Sequence, residues 1–268
     1  MKRLENIKLY LFDMDGTLYL GDKLYPFTKK LLNTLKNSGF KYMYMTNNSS
    51  KSVKDYIIKL KNMGIVAYED EFITSSQATA YYLKNNYPNE KIYVCGTESL
   101  KKEFIKEVFT LTNNVEDTSL VVMGNDTELT FKKLYDVCEI LTKKNDVKYV
   151  ATNLDIVCPT EFGSVPDCGS FCDMIYNCTG RKPQLIGKPQ PIMPYLAMER
   201  TGYTKEQTAV IGDRIYTDVK CGLNAGVLSV LVMSGETTQE VLNKSVDKPD
   251  LVLTDCSQIT KQILKNRS

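Results

Sequence analysis

The sequence predicts an α/β protein, a parallel-sheet core interrupted by a second and smaller α/β segment. Three observations predict it. Strand-like apolar runs alternate with helical patterns along nearly the whole chain. The first run, Leu9-Tyr10-Leu11-Phe12, is hydrophobic at every position rather than at alternate ones, as a strand buried on both faces requires. The middle, about residues 84–183, carries its own alternation and is long enough for a separate unit of roughly 100 residues.

The elements follow in order. A first strand over residues 7–12 stops abruptly at Asp13-Met14-Asp15-Gly16-Thr17. Residues 19–24 read as a short excursion. Pro26 then opens a helix through Leu31, Leu32 and Leu35 that stops at Gly39. Residues 40–45 form the second strand and end at Thr46-Asn47-Asn48-Ser49-Ser50. Val53, Tyr56, Ile57 and Leu60 sit at helical spacing within residues 52–63, before Gly64, and residues 76–86 continue a helical pattern until Pro88. The middle offers strands over 91–95, 119–123 and 148–152, with helices over 98–108, 130–144 and 169–179. Strands resume over 208–211, 228–232 and 251–253, with a helix over 216–225. The simplest organisation is a core of residues 1–83 and 184–268, with 84–183 inserted.

Composition excludes several classes. The chain has 268 residues, 43% hydrophobic, enough for a sizeable core in one or two domains. Thirty-four basic against 32 acidic residues leave a formal charge of +2, which argues against a nucleic-acid surface. No apolar run approaches the roughly 18 residues a membrane span needs. The charged start, Met1-Lys2-Arg3-Leu4-Glu5, is unlike an export signal, so the eight cysteines read as reduced thiols of a cytoplasmic protein. Cys168, Cys172 and Cys178 lack zinc-site spacing. The chain has no histidine, so no mechanism that needs imidazole is available. A hard-cation site of carboxylate oxygens remains open, and it suits magnesium.

Four polar features each end or follow an apolar run. Side chains two apart on a strand point the same way, so Asp13 and Asp15 would converge at the carboxyl end of the sheet, where such sheets bind ligands. Thr46, Asn47 and Asn48 supply donors suited to phosphate oxygens. Lys188, after Leu185-Ile186-Gly187, can neutralise an anion. Val210-Ile211-Gly212-Asp213-Arg214, with Asp218 five residues beyond Asp213, adds a second carboxylate pair. Singly these are a turn, a strand-end cap, a surface charge and a helix N-cap. All four in this order are hard to dismiss.

Asp13-Met14-Asp15-Gly16-Thr17, Thr46, Lys188 and Gly212-Asp213 with Asp218 resemble the four signature motifs of the haloacid dehalogenase superfamily of phosphatases. Met45-Thr46-Asn47-Asn48-Ser49, Gly180-Arg181-Lys182-Pro183 and Gly187-Lys188-Pro189-Gln190-Pro191 are similar to its NagD-like, p-nitrophenylphosphatase-like branch. That resemblance implies a Rossmann-like core with a large inserted C2-type cap, here residues 84–183, and a cytoplasmic phosphatase acting on small phosphate monoesters of nucleotide, sugar phosphate or phosphoglycolate type. It implies Asp13 as nucleophile, forming an aspartyl-phosphate, and Asp15 as general acid and base. Magnesium would be held by Asp13, the backbone carbonyl of Asp15, and Asp213, with Asp218 behind them. Thr46, Asn47 and Lys188 would grip the phosphoryl group, and Arg214 and Thr217 would border the substrate. Residues 153–170, with Asn153, Asp155, Cys158, Glu161 and Asp167, are the expected specificity stretch. A phosphotransferase or mutase on the same core, a receiver-like phospho-acceptor module, a catalytically silent binding protein and homo-oligomerisation through the cap stay open. No nucleic-acid polymer or membrane partner is expected.

Overall fold

The structure is a computed structural model and describes residues 4–160 and 162–266. Glu161 and Met1–Arg3 lie outside the described residues. The first third of the chain carries β1 (Leu9–Phe12), β2 (Tyr19–Leu20), β3 (Lys23–Leu24), α1 (Thr28–Asn37), β4 (Lys41–Thr46), α2 (Val53–Asn62), β5 (Phe72–Thr74) and α3 (Ser75–Asn86). The middle carries β6 (Lys91–Cys95), α4 (Glu98–Lys106), β7 (Thr110–Leu111), β8 (Leu120–Met123), α5 (Phe131–Lys143), β9 (Lys148–Ala151), β10 (Val157–Thr160), β11 (Gly163–Pro166), α6 (Cys168–Thr179) and β12 (Gln184–Leu185). The last third carries α7 (Ile192–Thr201), β13 (Thr208–Gly212), α8 (Lys220–Ala225), β14 (Leu228–Val232), α9 (Gln239–Lys244), β15 (Leu251–Leu253) and α10 (Ser257–Lys265).

Two compact units result. The first holds the residues up to Thr46, Ile57–Ile73, and those from Lys188 onward; the second holds Asn47–Tyr56 and Thr74–Gly187. The segment expected as the insertion, 84–183, lies inside the second unit, which also takes in Asn47–Tyr56 and α3. Hydrogen bonds explain the wider boundary. Ser75 Oγ donates to the Asn47 carbonyl at 2.6 Å, Ser49 Oγ meets Thr152 Oγ1 at 2.8 Å, and Thr97 Oγ1 donates to the Ser50 carbonyl at 3.0 Å.

A six-stranded sheet in the order β15-β14-β13-β1-β4-β5 forms the first unit's core. β1 pairs in parallel with β13 on one side and β4 on the other, so all four of its residues are buried. The register sets Phe12 opposite both Ile211 and Tyr44. Phe12, Tyr44 and Ile211 therefore lie level, and the residues that follow them, Asp13, Met45-Thr46 and Gly212-Asp213, share one edge.

The second unit has a five-stranded sheet in the order β12-β9-β8-β6-β7, parallel at every pairing. Its core packs Val121, Met123, Tyr149 and Ala151 against Val137, Ile140 and Leu141 of α5 and Phe171, Cys172 and Ile175 of α6. Arg181 ties off the α5–β9 connection by donating to the carbonyls of Leu141, Lys144 and Val147. This motif residue is a structural clamp.

Two local readings change. The 153–170 stretch contains an antiparallel ribbon, with Val157 opposite Pro166 and Thr160 opposite Gly163. Its two prolines and its glycine hide a strand signal. The helix expected over 216–225 opens as a single π-helical turn, Ile215–Val219, before α8. Such turns often mark functional positions.

Candidate active site

The strand ends of the first unit gather one lysine and three carboxylates. Asp13 is fixed as β1 ends, its amide donating to the Ile211 carbonyl at 2.8 Å. Lys188 Nζ lies 2.5 Å from Asp13 Oδ1 and 2.6 Å from Asp218 Oδ1, and it is 3% exposed. Asp13, Asp213 and Asp218 each offer an oxygen, all within 4.8 Å of one another. Asp213 accepts from the Glu236 amide at 2.7 Å and from Thr17 Oγ1 at 3.4 Å. Asp218 accepts from the Arg214 amide at 3.1 Å. Glycines make this density possible. A Cβ on Gly16 or Gly235 would collide with the Asp213 carboxylate, and one on Gly212 with Asp218. Gly16 also has φ +85°, a left-handed conformation that suits glycine.

Two buried carboxylates, Asp213 and Asp218, and the half-buried Asp13 facing one ammonium leave surplus negative charge. Burial holds the Asp13 carboxyl well above the usual range, and Asp218 and Asp213 add to it against the pull of Lys188. Burial, with Asp218 beside it, pushes Asp213 up to about 6. Burial alone would lower Lys188, but Asp13 and Asp218 more than reverse this and keep it charged. A cation among these oxygens would remove the surplus. The donor set, all carboxylate oxygen and cradled by glycines, fits a hard divalent ion.

Asp15 stands apart. Its residue is exposed and its side chain is not in the three-carboxylate group among the described residues. Neighbouring protein still displaces enough water to raise its carboxyl, against the lowering influence of Lys59, the Gly21 amide and Arg214. A raised carboxyl keeps a proton available for transfer.

The other expected residues divide. Thr46 is buried at the end of β4. Asn47 belongs to the second unit, where Nδ2 donates to Asp155 Oδ2 at 3.2 Å. Arg214 Nε pairs with Glu236 Oε2 at 2.8 Å, and Thr217 is buried in the π-helical turn. Sequence reasoning missed Gly235 and Glu236, which follow β14. The signal was present, since β14 is another apolar run that ends in a glycine-bearing loop.

Comparison with known proteins decides the family. A model described as haloacid dehalogenase-like hydrolase matches residues 10–110, and a second, described as HAD-hydrolase-like, matches 185–259. An acid sugar phosphatase of Staphylococcus saprophyticus is 32% identical over 98% of this chain and 100% of its own length. The chain belongs to the haloacid dehalogenase-like hydrolases. A 5′-nucleotidase of Bacillus subtilis is 35% identical to this hydrolase over 92% of this chain and 94% of its own. The crystal structure of a 4-nitrophenylphosphatase from Thermotoga maritima is 41% identical, covers 97% of this chain and 99% of that one, and has a TM-score of 0.92. A glycerol phosphate phosphatase of Mycobacterium tuberculosis, solved in complex with magnesium, is 25% identical with a TM-score of 0.90, covering 96% of this chain and 78% of that one. This hydrolase is accordingly a NagD-type phosphatase, a phosphoric monoester hydrolase, on a parallel-sheet core. These near full-length matches set the receiver-module alternative aside. Among its described residues no helix is long and apolar enough to cross a membrane.

Proposed function

We propose that this phosphatase hydrolyses small phosphate monoesters of nucleotide, sugar phosphate or phosphoglycolate type through a phosphorylated Asp13. The observation that carries the reading is Lys188, which sits between Asp13 and Asp218 within a carboxylate cluster at the strand ends. An Asp13 oxygen attacks phosphorus, and the bond from phosphorus to the ester oxygen breaks. Asp15 gives its proton to the departing alkoxide. Water then attacks phosphorus while Asp15 takes a proton from it, and Asp13 is released with inorganic phosphate. Splitting one displacement into two steps is the logic of covalent catalysis. Lys188, Thr46 and Asn47 hold the phosphoryl oxygens, and Arg214 and Thr217 border them. Asp218 positions Lys188. Magnesium, bound by the carboxylates of Asp13 and Asp213 and the backbone carbonyl of Asp15, would supply the positive charge that offsets repulsion between anionic nucleophile and anionic phosphate.

The second unit acts as a cap that selects the leaving group. In support, every proposed chemical residue except Asn47 lies in the first unit. All eight cysteines are free thiols, which supports a reducing, cytoplasmic compartment.

Metal removal tests this reading. Excess chelator should abolish phosphate release, and magnesium should restore it. Stability should follow the same ion. The folded-state value of Asp213, about 6 against an ordinary 3.8, is raised. Without metal, the folded protein therefore holds a proton that the unfolded chain has lost, and stability falls as pH rises through about 6. Magnesium should raise Tm more at a pH of about 7.5 than at about 5. Full activity in chelator, or an equal Tm gain at both pH values, would contradict the metal assignment.

A further inference from the structure

The first unit has a pocket of its own, away from Asp13. Its volume is about 160 Å³, and Leu4, Phe40, Ile259 and Ile263 give it an apolar lining. An apolar cavity of about 150 Å³ is large enough to take up benzene. The size therefore suits one six-membered ring. Leu4 precedes β1, Phe40 precedes β4, and α10 supplies both isoleucines. All four belong to the first unit. The pocket thus sits by the amino ends of β1 and β4, whereas Asp13 follows the carboxyl end of β1.

Two polar residues of the lining hold uncommitted atoms. Tyr10, on β1, is 1% exposed, and its ring is fixed edge-on to Phe40 at 5.8 Å and stacked on Phe12 at 6.1 Å. Its hydroxyl has no hydrogen-bond partner among the described residues, yet it is not one of the atoms sealed from solvent. Burial raises this hydroxyl above its usual range, so it stays protonated and remains a donor. Gln262, buried on α10, spends Nε2 on Asn266 Oδ1 at 3.1 Å. Its Oε1 accepts no hydrogen bond among the described residues and is likewise unsealed. Such groups are costly to bury unless a partner reaches them.

We infer that this pocket is a second binding site, for an uncharged single-ring phenolic molecule whose hydroxyl accepts from Tyr10 and donates to Gln262. A hydroxyl does both at once, which a ketone or an ether cannot. The ring fills the apolar part of the pocket. Glu5 brings the lining a negative charge, so carboxylates and phosphate esters are repelled. The pocket is therefore no second place for a phosphatase substrate, and the inference stands apart from the hydrolytic reading.

The test titrates the full-length protein with phenol and with toluene, which match in size and differ in the hydroxyl. Vanadate, a phosphate mimic, is present throughout to keep both probes from the catalytic cluster. Wild type should bind phenol saturably, with a Kd of about 1 mM or tighter, and toluene more weakly. Tyr10→Phe and Gln262→Met keep the bulk and remove the two polar contacts. Both should fold, since the first deletes an atom without a partner and the second gives up a bond to Asn266 at the end of α10. Each should weaken phenol about tenfold, the loss of roughly one hydrogen bond, and leave the toluene Kd within about twofold of wild type. No saturable phenol binding by wild type, or a phenol-to-toluene ratio unchanged in either variant, would overturn the inference. Neither result touches the assignment of Asp13.

Discussion

Replacing Asp13 with Asn should eliminate turnover on every phosphate ester, by on the order of 1,000-fold or more, while leaving the protein folded. The amide is nearly the same size as the carboxylate but is a poor nucleophile, and it cannot become an acyl phosphate. The fold should tolerate the change because Asp13 sits in surplus negative charge. Burial and two neighbouring carboxylates already disfavour its ionised form. Removing that charge still leaves Lys188 paired with Asp218 at 2.6 Å. Turnover by the Asp13→Asn enzyme at wild-type rate, read as phosphate release over several minutes, would remove Asp13 from the nucleophile's role.

Lys188→Met should be costly twice over. Its ammonium is bonded to both Asp13 and Asp218, and it is buried. Deleting one partner of a buried pair strands the other charge and destabilises by about 3–5 kcal/mol. Activity should also be lost, since the group proposed to hold the phosphoryl oxygens is gone. Metal-free denaturant titrations separate this from ordinary packing damage. Without Lys188 the Asp13 carboxyl loses the influence that lowers it and should hold its proton more tightly, so the deficit should shrink at acid pH where that carboxyl is protonated. A deficit independent of pH would mean that the lysine acts through packing alone.

Much of this arrangement was legible in the chain, and physics explains the division. A strand buried on both faces must be apolar throughout, so the break at Phe12–Asp13 is visible without a structure, and so is Ile211-Gly212-Asp213. Lys188 was visible as a lone charge after Leu185-Ile186. That it joins Asp13 and Asp218 depends on register across 175 and 30 residues, which local pattern does not encode. Glu236 was missed because it holds Asp213 through a backbone amide, a donor that any residue but proline supplies. Asn47–Tyr56 was assigned to the core because it follows a core strand, whereas its side-chain hydrogen bonds tie it to the second unit. The β10–β11 ribbon was hidden by Pro159, Gly163 and Pro166, which usually mark loops.

The central claim is a covalent phosphoryl group on Asp13, and chemical trapping tests it most directly. An Asp15→Asn enzyme lacks the proposed base for the second step and should accumulate the intermediate. Mixing it with p-nitrophenyl phosphate and magnesium, quenching in acid and reducing with borohydride converts an acyl phosphate to an alcohol. Peptide mass spectrometry should then find homoserine at position 13, with none in an Asp13→Asn, Asp15→Asn control. Homoserine at another acidic residue instead, or p-nitrophenol release under the same conditions with no modified residue anywhere, would contradict the mechanism.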